Sequence, residues 1–310
     1  MQVISSQEFS KFAGIPTATA IGAFDGLHLG HQQIIRQANK QAREQGLYSA
    51  IFSFEPHPME IIEPDRAPSR LISRDQKIEL LEGMGLDFYF EQEFTGGFSR
   101  LSIQEFVVNI LISRLNVREI IVGSDFRFGR GARGSTDDLQ QMAENNGFRV
   151  LVVDPVRDGG YKISSSRIRG LISEGKVSLI PEYLGRSYCL QGRVVSGYGR
   201  GRQLGVPTAN LEPLTNYVLP PAGVYAVFVD YQGRRFKGVA NFGTRPTFDE
   251  VDYSIEIHLI DRELDLYGEV LEIELMEYVR PEKSFATTEE LVTQIKRDIL
   301  YTDSILCYNN

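Results

Sequence analysis

The spacing of apolar runs changes near Pro181, and this change most restricts what the chain can fold into. Before it, strand-like and helical stretches alternate. An apolar run at 17–24 is followed by a helical pattern at 31–45 closed by Gly46, then by another apolar run at 48–54. Capping boxes at Ser73 with Gln76 and at Ser102 with Glu105 open further helices. Strand-like runs at 119–123 and 149–153 come next, and Ser164 precedes a helix ending near Gly175. Alternation of this kind predicts a parallel sheet covered by helices. After Pro181, short strand-like runs at 224–231, 236–240, 253–260 and 270–275 are separated by Gly- and Asp-bearing turns. They predict a small antiparallel barrel, and a capping box at Thr287 with Glu290 opens a final amphipathic helix through Ile299 that packs against it. The expected domains are therefore 1–181 and 182–310, a division that 310 residues can support with two cores. No repeat of 20–50 residues is visible, which removes solenoids and propellers.

Composition excludes several classes. With 42% apolar and 24% charged residues the chain is an ordinary globular one. A net charge of -8 argues against non-specific nucleic-acid binding, so any anion site must be local. There is no apolar stretch long enough to span a membrane and no basic, apolar leader at the start, so a cytoplasmic protein is expected, as a monomer or transient homo-oligomer. Cys189 and Cys307 lie far apart without CxxC spacing and suggest neither a disulfide nor a thiolate metal site.

The first chemical constellation is the segment GAFDGLHLGH at 22–31, between a strand and a helix, where backbone N–H groups and the helix dipole favour phosphate. Gly22, Gly26 and Gly30 allow close backbone approach, and His28 and His31 share one face of the first helical turn. A lone histidine more often satisfies a buried backbone group; this paired spacing at a helix start points instead to two imidazoles donating to one polyphosphate. The segments FEPHP at 54–58 and GSDFRFG at 123–129 follow strand ends, so their loops can converge on one crevice. In SSSRIR at 164–169, the hydroxyls of Ser165 and Ser166 with Arg169 one turn on suit a triphosphate whose charge grows at the leaving pyrophosphate. Taken singly, Asp125 reads as a turn residue and the serines as an N-cap.

Together these residues resemble the nucleotidyltransferase family with the GxFDGxHxGH loop and an SSTxIR-type signature, specifically the FMN adenylyltransferase module of FAD synthetases. The resemblance covers about residues 1–180 and implies a Rossmann-like α/β fold. It also implies that His28, His31, Ser165, Ser166 and Arg169 hold ATP phosphates while the FMN phosphate attacks the α-phosphorus. Gly22, Phe24, Asp25, Gly26, Gly30 and Asp125 would complete the nucleotide pocket, with His57 and Pro58 against the flavin. Ser166 stands where the family usually has Thr, which keeps the hydroxyl. Two other motifs are set aside. Gly129, Gly131 and Gly134 match GxGxxG but begin six residues after the strand end at Gly123. GLISEGKV at 170–177 nearly matches a P-loop, but Val177 replaces the required hydroxyl. Arg127, Arg130 and Arg133 read either as an anion clamp or as solvated loop charges.

The second constellation, GYGRGRQLGVPTAN at 197–210, joins a flexible Gly/Arg stretch able to wrap phosphates to a stiff Pro-Thr-Ala-Asn turn. Thr208 and Asn210 offer oxygen ligands suited to Mg²⁺, although such residues more commonly form a turn with no ligand. The segment resembles the GRxLGFPTAN motif of the flavokinase family, with Val206 in place of Phe. GVANFGTRPT at 238–247, IEIHL at 255–259, DLYG at 265–268, Arg280 and Phe285 extend the likeness in order across about 185–300. It implies a riboflavin kinase barrel in which Glu256 accepts the proton of the ribityl hydroxyl. Gly199, Arg202, Gly205 and Pro207 would bind nucleotide, Thr208 and Asn210 would hold Mg²⁺-ATP, and Asn241 and Arg280 would face the flavin. From alternation alone, Glu256 between Ile255 and Ile257 is an outward-facing strand residue. Both halves occur in the order of a bifunctional enzyme making FMN from riboflavin and ATP, and then FAD. The competing readings are a chain with one live module, a flavin- or nucleotide-sensing regulator and, last, a nicotinamide dehydrogenase built on Gly129, Gly131 and Gly134.

Overall fold

The computed structural model describes residues 1–197, 205–246, 251–260, 262 and 264–307. It divides into two compact units: Met1–Pro68 with Arg74–Ser164, and Ser69–Ser73 with Ser165–Asn310.

In the first unit β1 (Gln2–Ser5), β2 (Thr17–Ile21), β3 (Tyr48–Glu55), β4 (Phe88–Glu93), β5 (Val117–Gly123) and β6 (Arg149–Val153) form a six-stranded sheet in the order β1-β4-β3-β2-β5-β6. Every pairing is parallel. Such pairing needs crossovers, supplied by α1 (Leu29–Gln45), α2 (Pro58–Ile62), α3 (Arg74–Glu82), α4 (Ile103–Glu105, continuing as a wider coil over Phe106–Ile112) and α5 (Thr136–Asn146). All five residues of β2 are buried, as expected for a strand covered on both faces. Helix α1 buries the stripe Ile35, Ala38 and Ala42 and stops at Gly46, whose φ of 65° is left-handed and whose N–H bonds to Ala42. Ile21, Phe52, Phe90, Ile120 and Val122 from the sheet pack with Phe106, Leu111 and Leu115 into one core. The chain steps from β2 through β3 to β4 on one side, whereas β5 and β6 add on the other. Thus the carboxyl ends of β2 and β5 flank a topological switch point, where ligands bind in open α/β sheets. A short hairpin, β7 (Arg157–Asp158) with β8 (Tyr161–Lys162), completes the unit.

The second unit carries α6 (Ser165–Ser173), α7 (Pro181–Leu184) and the strands β9 (Tyr188–Val195), β10 (Ala209–Pro213), β11 (Gly223–Tyr231), β12 (Arg234–Pro246), β13 (Val251–Leu259) and β14 (Val270–Pro281). The strands close into an antiparallel barrel in the order β10-β13-β12-β11-β14-β9. Alternation sorts the side chains: Ile255 and Ile257 are buried, and Glu256 and His258 between and beyond them are half-buried. Helix α8 (Thr288–Cys307) covers part of the barrel's outer surface. Its Leu306 packs on Ala226 and Phe228, and its Ile299 on Val224 and Val239. Thr287 caps it as expected, its Oγ1 accepting from the Glu290 N–H at 3.2 Å. The helix runs past Ile299 because Asp298, Thr302 and Leu306 continue its buried stripe at four-residue spacing.

The parallel α/β module and the closed barrel with its terminal helix match the sequence expectation in class. Strands β1, β4, β9 and β10 were not among the expected runs. The Pro-Thr-Ala-Asn segment is also only half a turn: Ala209 and Asn210 already belong to β10, because β13 offers both of them ladder partners and β9 offers Asn210 a second.

Candidate active sites

The first site is the loop leaving β2. Phe24 and Leu27 adopt left-handed backbone, with φ of 52° and 43°, which is uncommon for side chains of this size and costs on the order of 1–3 kcal/mol each. Both side chains are buried, and that burial offsets the strain. Gly26, with φ of 84°, completes the turn. The chain then enters α1 with His28 as N-cap, its Nδ1 accepting from the His31 N–H at 3.2 Å. The two imidazoles stack, with centroids 3.6 Å apart and planes 18° off parallel, and Phe24 meets His31 edge-on at 5.2 Å. Gly30 makes room for this: a Cβ there would lie 3.1 Å from the His28 ring. At Gly22 a Cβ would lie 3.2 Å from the Phe24 ring.

Burial, then the charge of Lys162, lowers the His28 pKa to about 4. Burial, with His28, Lys77 and Lys162 adding to it, holds His31 well below the usual histidine range. Both rings are therefore neutral at pH 7, and because His28 Nδ1 is an acceptor its proton sits on Nε2, where it can be donated to a ligand. His31 Nδ1 is buried without a hydrogen-bond partner. Asp125, two residues past β5 on the other side of the switch point, pairs with Lys162. Burial pushes its carboxyl up, but Lys162 outweighs that and holds it below the usual range. His57 caps α2, its Nδ1 accepting from Met59 N–H at 3.2 Å, with Pro58 as the first helical residue after β3.

The structure thus brings the loop of Gly22, Phe24, Asp25, Gly26, His28, Gly30 and His31 into one electrostatic neighbourhood with Asp125, and places His57 and Pro58 just past the same end of the parallel sheet. Ser165, Ser166 and Arg169 stand on α6 in the second unit, where Arg169 Nε donates to the Ser69 carbonyl at 2.8 Å. Arg127, Arg130 and Arg133 are exposed in a loop folded back on itself, with Phe128 and Gly134 bonded to each other. Lys77 and Lys162 had not been singled out from the sequence.

The second site lies on the barrel's outer surface. Strand register sets Asn210 of β10 opposite Glu256 of β13, and Glu256 opposite Asn241 of β12, so three polar side chains form one row. Glu256 and Asn241 line a cavity of about 560 Å³ together with Val206, Thr208, Arg280 and Phe285. Thr208 also lines a second cavity of about 300 Å³, with Gly197, Pro207, Asn210 and Tyr267. His258 Nδ1 lies 2.9 Å from the Pro207 carbonyl and fixes the approach to Thr208. At Gly197 a Cβ would lie 1.9 Å from the Asn210 amide nitrogen, so glycine leaves that side chain its place. Gly205, with φ of 72°, turns the chain before Val206. Arg280 is held by Asp298 of α8, a partner that sequence reasoning missed. Gly199 and Arg202 lie outside the described residues.

Two family models match the chain, one described as FAD synthetase over residues 13–167 and one as riboflavin kinase over 184–306. The bifunctional riboflavin kinase/FMN adenylyltransferase of Escherichia coli strain K12 is 38% identical over 281 residues, 90% of each chain. The chain belongs to that family. The protein of the same description from Listeria monocytogenes is 36% identical over 93% of this chain and 92% of its own. A crystal structure described as a macrolide-efflux protein from Streptococcus pneumoniae superposes with a TM-score of 0.88 at 31% identity, covering 98% of this chain and 99% of that one. Among the described residues no helix is long and apolar enough to cross a membrane. For this family member, the loop of His28 and His31, Asp125, Ser165 and Ser166 fall inside the FAD synthetase match, and Arg169 two residues beyond it. Thr208, Asn210, Asn241, Glu256 and Arg280 fall inside the riboflavin kinase match.

Proposed function

We propose that the chain phosphorylates riboflavin with ATP to FMN on its barrel, and adenylylates FMN with a second ATP to FAD and pyrophosphate on its α/β module. The observation that carries the kinase assignment is the row Asn210, Glu256 and Asn241 beside two cavities that share Thr208. Flavin fits the larger cavity, whose wall mixes Val206 and Phe285 with Asn241, Glu256 and Arg280. ATP fits the smaller one. Glu256 takes the proton of the ribityl hydroxyl as its oxygen attacks the γ-phosphorus, and ADP leaves; such transfer is mostly positioning and charge neutralisation.

Thr208 and Asn210 supply hard, neutral oxygens of the kind Mg²⁺ accepts. Among the described residues no group of three or more His, Cys, Asp or Glu could hold a metal ion. When bound there, Mg²⁺ would neutralise charge on those phosphates.

On the α/β module the neutral imidazoles of His28 and His31 donate to the triphosphate at the switch point, and the FMN phosphate attacks the α-phosphorus without a covalent enzyme intermediate. Assignment of Ser165, Ser166 and Arg169 to that step, of His57 and Pro58 to the flavin, and of Gly199, Arg202, Gly205 and Pro207 to the kinase nucleotide rests on the family pattern. We place the functional boundary between 181 and 182, and read the protein as cytoplasmic, a monomer or transient homo-oligomer, without nucleic-acid or membrane partners.

The test is to incubate the chain with riboflavin, ATP and Mg²⁺ and follow flavins by chromatography. FMN followed by FAD is expected. Flavin or ATP binding without conversion would overturn the assignment in favour of a sensor.

A further inference from the structure

Lys77 is a lysine where burial rules least expect one. It sits on α3, only 5% exposed, whereas a lysine on a nine-residue helix ordinarily snorkels its ammonium into water. Its Nζ donates to the Ala23 carbonyl at 3.3 Å, and Ser53 Oγ of β3 donates to the same oxygen at 3.1 Å. The phosphate loop is thus held by a cation and a hydroxyl from two neighbouring elements.

We propose that Lys77 is a positioning residue for adenylyl transfer, whose ammonium anchors the Ala23 carbonyl and stands against the His28–His31 pair at the mouth of α1. The assignment rests on reading this loop as the triphosphate site. His28 caps α1 through Nδ1, and only an imidazole unprotonated at that nitrogen can accept the His31 N–H. Protonation of His28 would turn the acceptor into a donor facing a donor, and would break the cap that sets the loop. Rings stacked 3.6 Å apart also cannot both carry charge without strong repulsion. The charged groups acting on the pair are Lys77 from α3, Lys162 from β8 and Asp125 from the turn after β5. Asp125 is engaged by Lys162. Lys162 therefore opposes protonation of both rings and Lys77 that of His31, and Lys77 does so from inside the fold, where water screens it least. The result is a loop that meets an anionic ligand with an intact cap and a fixed positive charge behind it.

The chain has four histidines, so the test can be read directly in the ligand-free protein. Wild type, Lys77→Met and Lys77→Arg are titrated by imidazole NMR, and the pH profile of adenylylation is measured with supplied FMN. In Lys77→Met the His31 resonance should titrate at higher pH. The acid limb of adenylyl transfer should move to higher pH and Lys77→Arg should restore both, while the circular dichroism of the variants and adenylyl transfer at alkaline pH stay near wild type, which certifies the fold of the α/β module. A Lys77→Met protein that meets both of those checks but keeps the wild-type imidazole titration and acid limb overturns the proposal. If the His31 imidazole shifts as expected but the wild-type chain transfers no adenylyl group, the triphosphate reading of the loop fails and the electrostatic role of Lys77 stands.

Discussion

Asp298 holds Arg280 through both carboxylate oxygens: Arg280 Nε donates to each at 3.0 Å and Nη2 donates to Oδ2 at 2.7 Å. The side chains are 13% and 5% exposed, and Gln294 adds a bond to Oδ1 at 2.8 Å. A terminal helix thereby orients a cation in the wall of the larger barrel cavity. Removing one partner of so enclosed a pair leaves an uncompensated charge and costs about 3 kcal/mol or more. Asp298→Asn should lower the melting temperature and raise the KM for riboflavin, while adenylylation of supplied FMN persists. Replacing both residues, Arg280→Met with Asp298→Leu, should recover the melting temperature without recovering the KM. Recovery of both would mean that the pair serves packing alone.

Glu256→Gln keeps the shape of the side chain opposite Asn210 and Asn241 but removes its ability to take a proton. FMN formation should fall by about 100-fold or more, the usual contribution of a general base. The melting temperature and the adenylylation of supplied FMN should stay near wild type. A variant that still phosphorylates riboflavin within a few-fold of wild type would remove Glu256 from the role of base.

The elements legible in the sequence were those whose burial follows their period. Strand β2, covered on both faces, reads as a run of small, β-branched and apolar residues without a charge, and α1 has an apolar stripe closed by Gly46. Strand β4 ends in Glu91, Gln92 and Glu93, so only half of it looks like a strand. Strand β9 alternates well, with Tyr188, Leu190 and Val194 buried, but it runs into a Gly- and Arg-rich segment that reads as loop. Asn210 looked like a turn residue because turn propensity is local, whereas its pairing with Glu256 depends on a strand about 45 residues away. Lys77 and Asp298 were invisible for a related reason. A charged residue on a helix reads as its solvent face, and only tertiary partners, the Ala23 carbonyl and Arg280, make the buried position tolerable.

The depressed pKa of His28 makes the first site sensitive to acid. A histidine whose folded pKa of about 4 lies below its unfolded value of 6.5 stays neutral in the fold while the unfolded chain gains a proton. Its stabilising contribution is complete above about pH 6.5 and is lost as pH falls toward 4, with His31 acting in the same direction. His28→Asn keeps an N-cap acceptor but removes the titration. Its calorimetric transition should fall less steeply than wild type across that window, and adenylylation should be lost at every pH. An unchanged slope would show that His28 is not buried in its neutral form.

Gly197 tests whether Asn210 works as a ligand or only as a strand residue. A Cβ at 197 would fall 1.9 Å from the Asn210 amide nitrogen and 2.5 Å from the amide carbon, so the Asn210 side chain must move. Gly197→Ala should therefore cost the barrel about 1 kcal/mol, the typical effect of a point substitution. What it cannot leave alone is the position of the Asn210 carbonyl oxygen beside Thr208. If that oxygen helps hold the metal-bound nucleotide, the KM for ATP in FMN formation rises at least tenfold and partial recovery follows at high Mg²⁺. Adenylylation of supplied FMN should be unaffected, because the loop of His28 and His31 belongs to the other compact unit. An alanine variant with wild-type KM for ATP would assign Asn210 to the ladder between β9 and β13 and leave Thr208 as the oxygen that needs testing next.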